Sequence, residues 1–314
     1  MSPIPSYTLH KQAKEAVEIP AIGQGCWSGT VKEQWDAGEP WMTTAGQQGY
    51  RHFDTAAGYG TEPVVARAIK GAGLKREEVF ITTKLDWDEH YNVEAAFAKS
   101  LKNLDTDYVD LYLMHWPFAI AVEDENADPK VPIKSADGDL THNPKISFLD
   151  TWAAMEKIHE SGRAKAIGVS NFSVKHLETL LKNAKYIPAV NQVEMHPYLA
   201  QPELLAFCEK NGVKITAYSP SGYDKVRNDS TIVAIAKKNG VTPTQTILAW
   251  HLKRGVIAIP KGTSVKHQKE NLDLVTLSEE DFEAINKLDR NERQCNKENE
   301  RGLVWAWTYE QLGW

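Results

Sequence analysis

Asp54, Tyr59, Lys84 and His115 are residues whose types and settings could deliver a proton to a reacting oxygen. Asp54, Lys84 and His115 each close a short apolar run, and Tyr59 follows Asp54 in the same loop. Tyrosine is a weak acid near neutrality, with a reference pKa of about 10. A neighbouring ammonium favours the phenolate, so Lys84 is expected to lower that value and make the hydroxyl a better donor to a developing alkoxide. A buried lysine tends to lose its own proton, and Asp54 can hold it charged. His115, neutral and donating through one ring nitrogen, would orient a substrate carbonyl. Taken singly, each has a plainer use. An Asp after a strand caps a helix or forms a turn, and a lysine can snorkel to the surface. Only their recurrence at one structural level marks a site.

The same level carries Ser170 and Asn171, Gln192, Tyr218 and Ser219, and Lys261. The elements that must position them are eight β-branched runs at 22–27, 50–56, 79–85, 108–115, 164–170, 189–195, 214–218 and 256–260. Helical patterns at 63–69, 148–159, 202–210 and 231–238 alternate with them, which is the rhythm of βαβ units. Asn211-Gly212 and Asn239-Gly240 read as helix ends and Pro40 as a helix start. Eight repeats with no linker between them predict one α/β domain over 1–314, a (β/α)8 TIM barrel whose site lies at the C-terminal ends of its strands. Gly23-Gln-Gly25 lacks the third glycine of a dinucleotide-binding turn, which argues against an open doubly wound sheet. Three stretches fall outside the rhythm. The segment before Ile22 reads as a β-hairpin plugging the barrel floor. The polar segment 116–145 and the aromatic tail 290–314 read as long loops at the C-terminal face.

A formal net charge of −6 argues against a nucleic-acid partner. Cys26, Cys208 and Cys295 form no CxxC pair and fit a reducing, cytoplasmic setting. Neither a signal-peptide core nor an apolar run of roughly 18 residues is present, so no membrane partner is expected. Without GxSxG, HExxH or a Cys/His cluster, neither nucleophilic nor metal chemistry is suggested.

At this point the chain resembles the aldo-keto reductase superfamily. The resemblance rests on Gly49-Tyr-Arg-His-Phe-Asp54-Thr-Ala-Ala-Gly-Tyr59-Gly-Thr-Glu62, Ile81-Thr-Thr-Lys84, Asp110-Leu-Tyr-Leu-Met-His115-Trp-Pro117, Gly168-Val-Ser-Asn-Phe172, Asn191-Gln-Val-Glu-Met-His-Pro197 and Ile259-Pro-Lys261. It implies a monomeric enzyme that reduces small aldehydes, aldoses, uronic acids or ketones with NADPH, through a tetrad of Asp54, Tyr59, Lys84 and His115. By the same carry-over Ser170, Asn171 and Gln192 hold the nicotinamide carboxamide, and Tyr218, with Ser219 beside it, stacks on the ring. Lys261, Thr263 and Ser264 meet the 2′-phosphate, while Glu270 and Asn271 face the adenine. His267 stands where many members carry arginine, which would relax the preference for NADPH over NADH. The segment Pro220 to Asp229 is shorter than the cofactor-covering loop of many mammalian members. Trp27, Trp116, Phe118 and Trp305 are candidates for an apolar substrate wall, and Trp87 is spaced one residue differently after Lys84 than in the commoner pattern. The similar potassium-channel β subunits suggest a second reading, a nucleotide-binding sensor subunit with little turnover.

Overall fold

The computed structural model describes residues 4–9 and 16–314. An antiparallel pair, β1 (Ser6–Thr8) and β2 (Glu18–Pro20), opens the chain. It packs Leu9 and Ile19 against Phe80, Leu111, Leu113 and Val190, so the expected hairpin closes one end of the sheet that follows.

That sheet is parallel and runs in chain order: β3 (Gln24–Gly25), β4 (His52–Asp54), β5 (Phe80–Leu85), β6 (Val109–Met114), β7 (Ala164–Ser170), β8 (Val190–Glu194), β9 (Lys214–Tyr218) and β10 (Ile257–Ala258). A parallel bridge from Ile22 to Ala258 closes the ring, supported by Gly23 N–H to Ala258 O at 2.9 Å and Ala258 N–H to Ala21 O at 2.8 Å. The architecture is therefore a (β/α)8 barrel. All eight expected strands are present. The first and last are shorter than their apolar runs because the seam is stitched by single backbone bonds rather than a continuous ladder.

Helices cover the outside of the sheet and bury one face each. Glu62–Gly71 turns Val64, Val65, Ala68 and Ile69 inward, the spacing of an apolar stripe on a 3.6-residue helix. Phe148–Glu160 and Pro243–Lys253 start on Ser147 and Thr242, whose side chains take orphan backbone N–H groups while Asp150 and Gln245 reach back. Gly212 and Gly240 end their helices at φ of 73° and 67°, and Pro40 sits in the first turn of Glu39–Gln47. Between sheet and helices lies the main core. Phe97 is fully buried there, its ring 4.7 Å from that of Tyr112. Truncating it to alanine should cost about 3–5 kcal/mol.

Segment 116–145 is a meander held by isolated bridges, Ile120 to His142, Val122 to Pro132 and Lys134 to Leu140. The tail forms β11 (Leu303–Val304), β12 (Trp307–Thr308) and the short helix Tyr309–Leu312. The two segments share a separate apolar cluster of Trp116, Phe118, Ile120, Val304 and Leu312. Each packs its apolar residues against the other. Among the described residues no helix is long and apolar enough to cross a membrane.

Candidate active site

β4 ends at Asp54, β5 carries Lys84 on the neighbouring strand, and His115 follows β6 with its amide bonded to Leu85 O at 3.2 Å. These positions bring the expected residues together. Lys84 Nζ donates to Asp54 Oδ1 at 2.6 Å and to Thr55 O at 2.7 Å. From across the mouth Gln192 Nε2 donates to Asp54 Oδ2 at 2.7 Å. Lys84 and Asp54 have side-chain exposures of 0% and 2%. Two charges so buried persist only when paired and hydrogen-bonded, and here both carboxylate oxygens are engaged.

Tyr59 ends the short 3-10 turn Ala57–Tyr59. Its ring centroid lies 4.8 Å from Lys84 Nζ and its ring meets that of His115 edge to face at 5.6 Å. The turn is tight. A Cβ at Gly58 would stand 2.3 Å from Asp86 Oδ2, so a side chain there would force the Asp86 carboxylate to move.

The expected lowering of the Tyr59 pKa by Lys84 is reversed in sign. Burial, and then the charges of Asp54 and Asp86, push the hydroxyl well above its usual value. The ammonium is committed to Asp54 and Thr55 O, so its field is largely balanced. A hydroxyl in this setting stays protonated until a strong base such as an alkoxide forms beside it. His115 behaves as expected: burial, then Lys84, holds it well below 6.5 and so neutral. Its Nδ1 is buried without a hydrogen-bond partner among the described residues.

A second network lies beside the tetrad. Ser170 Oγ donates to Gln192 O at 2.8 Å, and Asn171 Nδ2 donates to His115 O at 3.0 Å and to Ser170 Oγ at 3.3 Å. Tyr218 Oη donates to Asn171 Oδ1 at 2.9 Å. Asn171 and Ser219 hold φ of 63° and 47°, a left-handed conformation that non-glycine residues adopt at a cost of order 1–3 kcal/mol and that recurs at functional sites. Beyond β10, Lys261, Thr263, Ser264 and His267 are all exposed around the start of helix Val265–Leu272, where Ser264 caps the His267 amide at 3.2 Å. A helix start with unpaired amides, two hydroxyls and a cation is a donor set suited to a phosphate. Glu270 lies half-buried on that helix near Lys266. Asn271 is buried on the same helix, and the Tyr50 hydroxyl bonds Gln268 O at 3.3 Å, which braces the helix against the barrel. In the segment Pro220 to Asp229, residues Tyr223–Arg227 form a short helix.

The substrate-wall candidates separate into two groups. Trp116 and Phe118 are buried, with ring centroids 5.6 Å apart, and Trp87 bridges Trp116 at 6.3 Å and Trp305 at 4.9 Å. Trp305 is 46% exposed at the rim. Trp27 lies apart from this wall, 47% exposed, with Lys261 Nζ 5.0 Å from its ring centroid.

Three residues at the mouth were not singled out from sequence. Glu194, fully buried at the end of β8, accepts the amides of Gln294 at 2.5 Å and Cys295 at 3.0 Å. Asn296 donates to Tyr218 Oη at 2.8 Å and accepts from Trp305 Nε1 at 3.3 Å, linking the second network to the aromatic wall. Asp86 lies beside Gly58. Glu194 and Asp86 were visible in principle as carboxylates interrupting or closing an apolar run; Asn296 carries no such signal.

Residues 22–290 match the model of the aldo/keto reductase family. The chain is 42% identical to glycerol 2-dehydrogenase (NADP(+)) of Saccharomyces cerevisiae, over 90% of this chain and 93% of the relative. It is 40% identical to glyoxal reductase of Bacillus subtilis, over 88% and 91%. Among solved structures, aldose reductase from Schistosoma japonicum superposes with a TM-score of 0.81 at 31% identity, covering 94% of this chain and 95% of that one.

Proposed function

From the premise that the chain belongs to the aldo/keto reductase family, an oxidoreductase family of nicotinamide-dependent carbonyl reduction, we propose that it reduces small aldehydes, aldoses, uronic acids or ketones to alcohols with NADPH and with Tyr59 as general acid. The observation that carries this reading is the convergence of Tyr59, His115 and the buried Lys84–Asp54 pair on one barrel mouth. Reduced nicotinamide, when bound, would supply the hydride.

The protein's own residues do the rest. Neutral His115 offers a ring nitrogen as donor to the carbonyl oxygen and fixes its position beside the Tyr59 hydroxyl. As negative charge grows on that oxygen, Tyr59 Oη gives it the proton, and Lys84 Nζ, 4.8 Å from the Tyr59 ring centroid, offsets part of the cost that burial and Asp54 place on the phenolate left behind. Asp54 fixes Lys84 in place, and Gln192 fixes Asp54. Ser170, Asn171 and Gln192 present amide and hydroxyl groups at one level, suited to a carboxamide that would exchange with the bonds they now make to one another. Tyr218 supplies a ring face for stacking. Lys261, Thr263, Ser264 and His267 fit a 2′-phosphate, with NADH use relaxed by the histidine. The names of the yeast and bacterial relatives support NADP(H) and a small carbonyl or polyol partner. A single domain, a monomer and a cytoplasmic setting complete the proposal.

The test is oxidation of NADPH, followed by absorbance, against glyceraldehyde, an aromatic aldehyde, an aldopentose and a uronic acid. Tyr59→Phe should abolish turnover while NADPH still binds. Turnover that survives in this variant would exclude Tyr59 as the acid. Cofactor binding without turnover of any substrate by the unaltered protein would favour the sensor reading.

A further inference from the structure

Asp86 stands at the barrel mouth, just after β5, yet takes no part in the tetrad. Its Oδ1 accepts the Trp87 amide at 2.9 Å. Its Oδ2 faces Gly58, 2.3 Å from where a Cβ would stand there, and the Trp87 amide is the one hydrogen bond to the carboxylate among the described residues. The carboxylate thus lies directly against the loop that carries Tyr59.

No cation pairs with Asp86 among the described residues. Lys84 is held by Asp54 and Thr55 O, and Lys130 by Glu89 at 2.7 Å. The charges that act most strongly on Asp86 are those of Asp88, Glu89 and Glu62, all of its own sign, and Asp86 in turn acts on Tyr59. A half-buried carboxylate with a single amide donor and no cation is unfavourable unless a ligand or water donates to its free oxygen. The next residue, Trp87, begins the wall of Trp116 and Trp305 that an apolar face of substrate would meet. A substrate seated on that wall and beside Tyr59 passes Asp86.

We propose that Asp86 is a specificity-determining residue of the reduction described above: it accepts hydrogen bonds from the hydroxyl groups of neutral polyhydroxylated carbonyl substrates and repels substrates that carry a carboxylate. The inference rests on the proposed reductase reading and narrows it, favouring aldoses and small hydroxyaldehydes over uronic acids. Burial and Asp88 raise the Asp86 pKa to about 7, so the repulsion is fullest in mild alkali and fades as pH falls through neutrality.

The experiment compares kcat/KM for an aldose and the uronic acid of equal chain length, at pH 8 and pH 6, in the unaltered protein and in Asp86→Asn. The ratio of uronic acid to aldose should rise on the order of tenfold in Asp86→Asn at pH 8, the scale of one like-charge contact at a partly screened site. At pH 6 the rise should be smaller. Any change in Tyr59 acidity acts on both substrates and cancels in the ratio. Asp86→Ser, a smaller polar replacement, should shift the ratio in the same direction if Asp86→Asn folds poorly. An unchanged ratio at both pH values would overturn the inference. Tyr59→Phe in the same panel separates the two failures, because persistent turnover there sinks the reductase mechanism whatever Asp86 does.

Discussion

Lys84 Nζ lies 2.6 Å from Asp54 Oδ1 with the two side chains 0% and 2% exposed, and each charge is the reason the other can be buried. Lys84→Met removes the cation and leaves Asp54 with only the Gln192 amide. Breaking a buried pair from one side costs about 3–5 kcal/mol. We expect that loss in urea unfolding, together with loss of turnover. Lys84→Met combined with Asp54→Leu should recover much of the stability and none of the activity. A single variant as stable as the unaltered protein would show that the pair is not held as described.

Acid should unfold the protein earlier than its carboxylates alone require. His52 and His176 are pushed by burial to about 4, His90 and His251 to about 3, and His115 well below 6.5. A folded pKa below the unfolded one means that the unfolded chain takes up the proton first. Stability therefore falls as pH drops below 6.5, by up to about 1.4 kcal/mol per pH unit per histidine. Asp86, raised to about 7 from 3.8, acts in the opposite sense over part of this window and offsets a single histidine. Urea unfolding at pH 7.5 and 5.5 should show a large loss, reduced in His90→Gln. Equal stability at the two pH values would contradict the buried, neutral state of these rings.

Much of this architecture was legible because barrel strands announce themselves twice, as apolar runs and by the polar residues that close them. Asp54, Lys84 and His115 could be placed at one level before any coordinate was known. The partners of those residues were less visible. That Gln192 bonds Asp54, or that Tyr218 bonds Asn171, depends on which side chains meet across the mouth, and sequence spacing carries no such information. The sign of the Tyr59 shift failed for a related reason. Motif reasoning counted the charge of Lys84 but not the burial, nor the two hydrogen bonds that commit it elsewhere.

His267 tests the cofactor assignment without touching the tetrad. It is exposed one turn into helix Val265–Leu272, near Lys261 and the Ser264 cap. Arginine presents a planar fork that binds phosphate bidentately. His267→Arg should tighten NADPH by about tenfold, the scale of one added charge-assisted contact, and leave NADH nearly unchanged. Quenching of tryptophan fluorescence on titration with each nucleotide reads both affinities. Equal tightening of both would place His267 away from the 2′-phosphate.

Glu194 is the anchor by which the barrel holds its tail. One oxygen accepts the amides of Gln294 and Cys295 and lies 3.0 Å from His196 Nε2, while the other is buried without a hydrogen bond among the described residues, 3.9 Å from Arg293. Arg293 in turn lies 3.5 Å over the ring of Trp314, and Asn296 follows to hold Tyr218 and Trp305. Glu194→Ala strands two part-buried amides, each at about 1 kcal/mol, and removes the charge that Arg293 faces. That penalty falls on the attachment of segment 290–314 and not on the tetrad. Limited proteolysis should then cut this segment faster, and KM should rise several-fold more than kcat falls, because a loosened aromatic wall weakens substrate binding more than proton transfer. Glu194→Gln keeps an acceptor for the amides and should show a milder form of both effects. Proteolysis at the unaltered rate in Glu194→Ala would mean that the aromatic cluster of Trp116, Phe118, Val304 and Leu312 fixes the tail by itself.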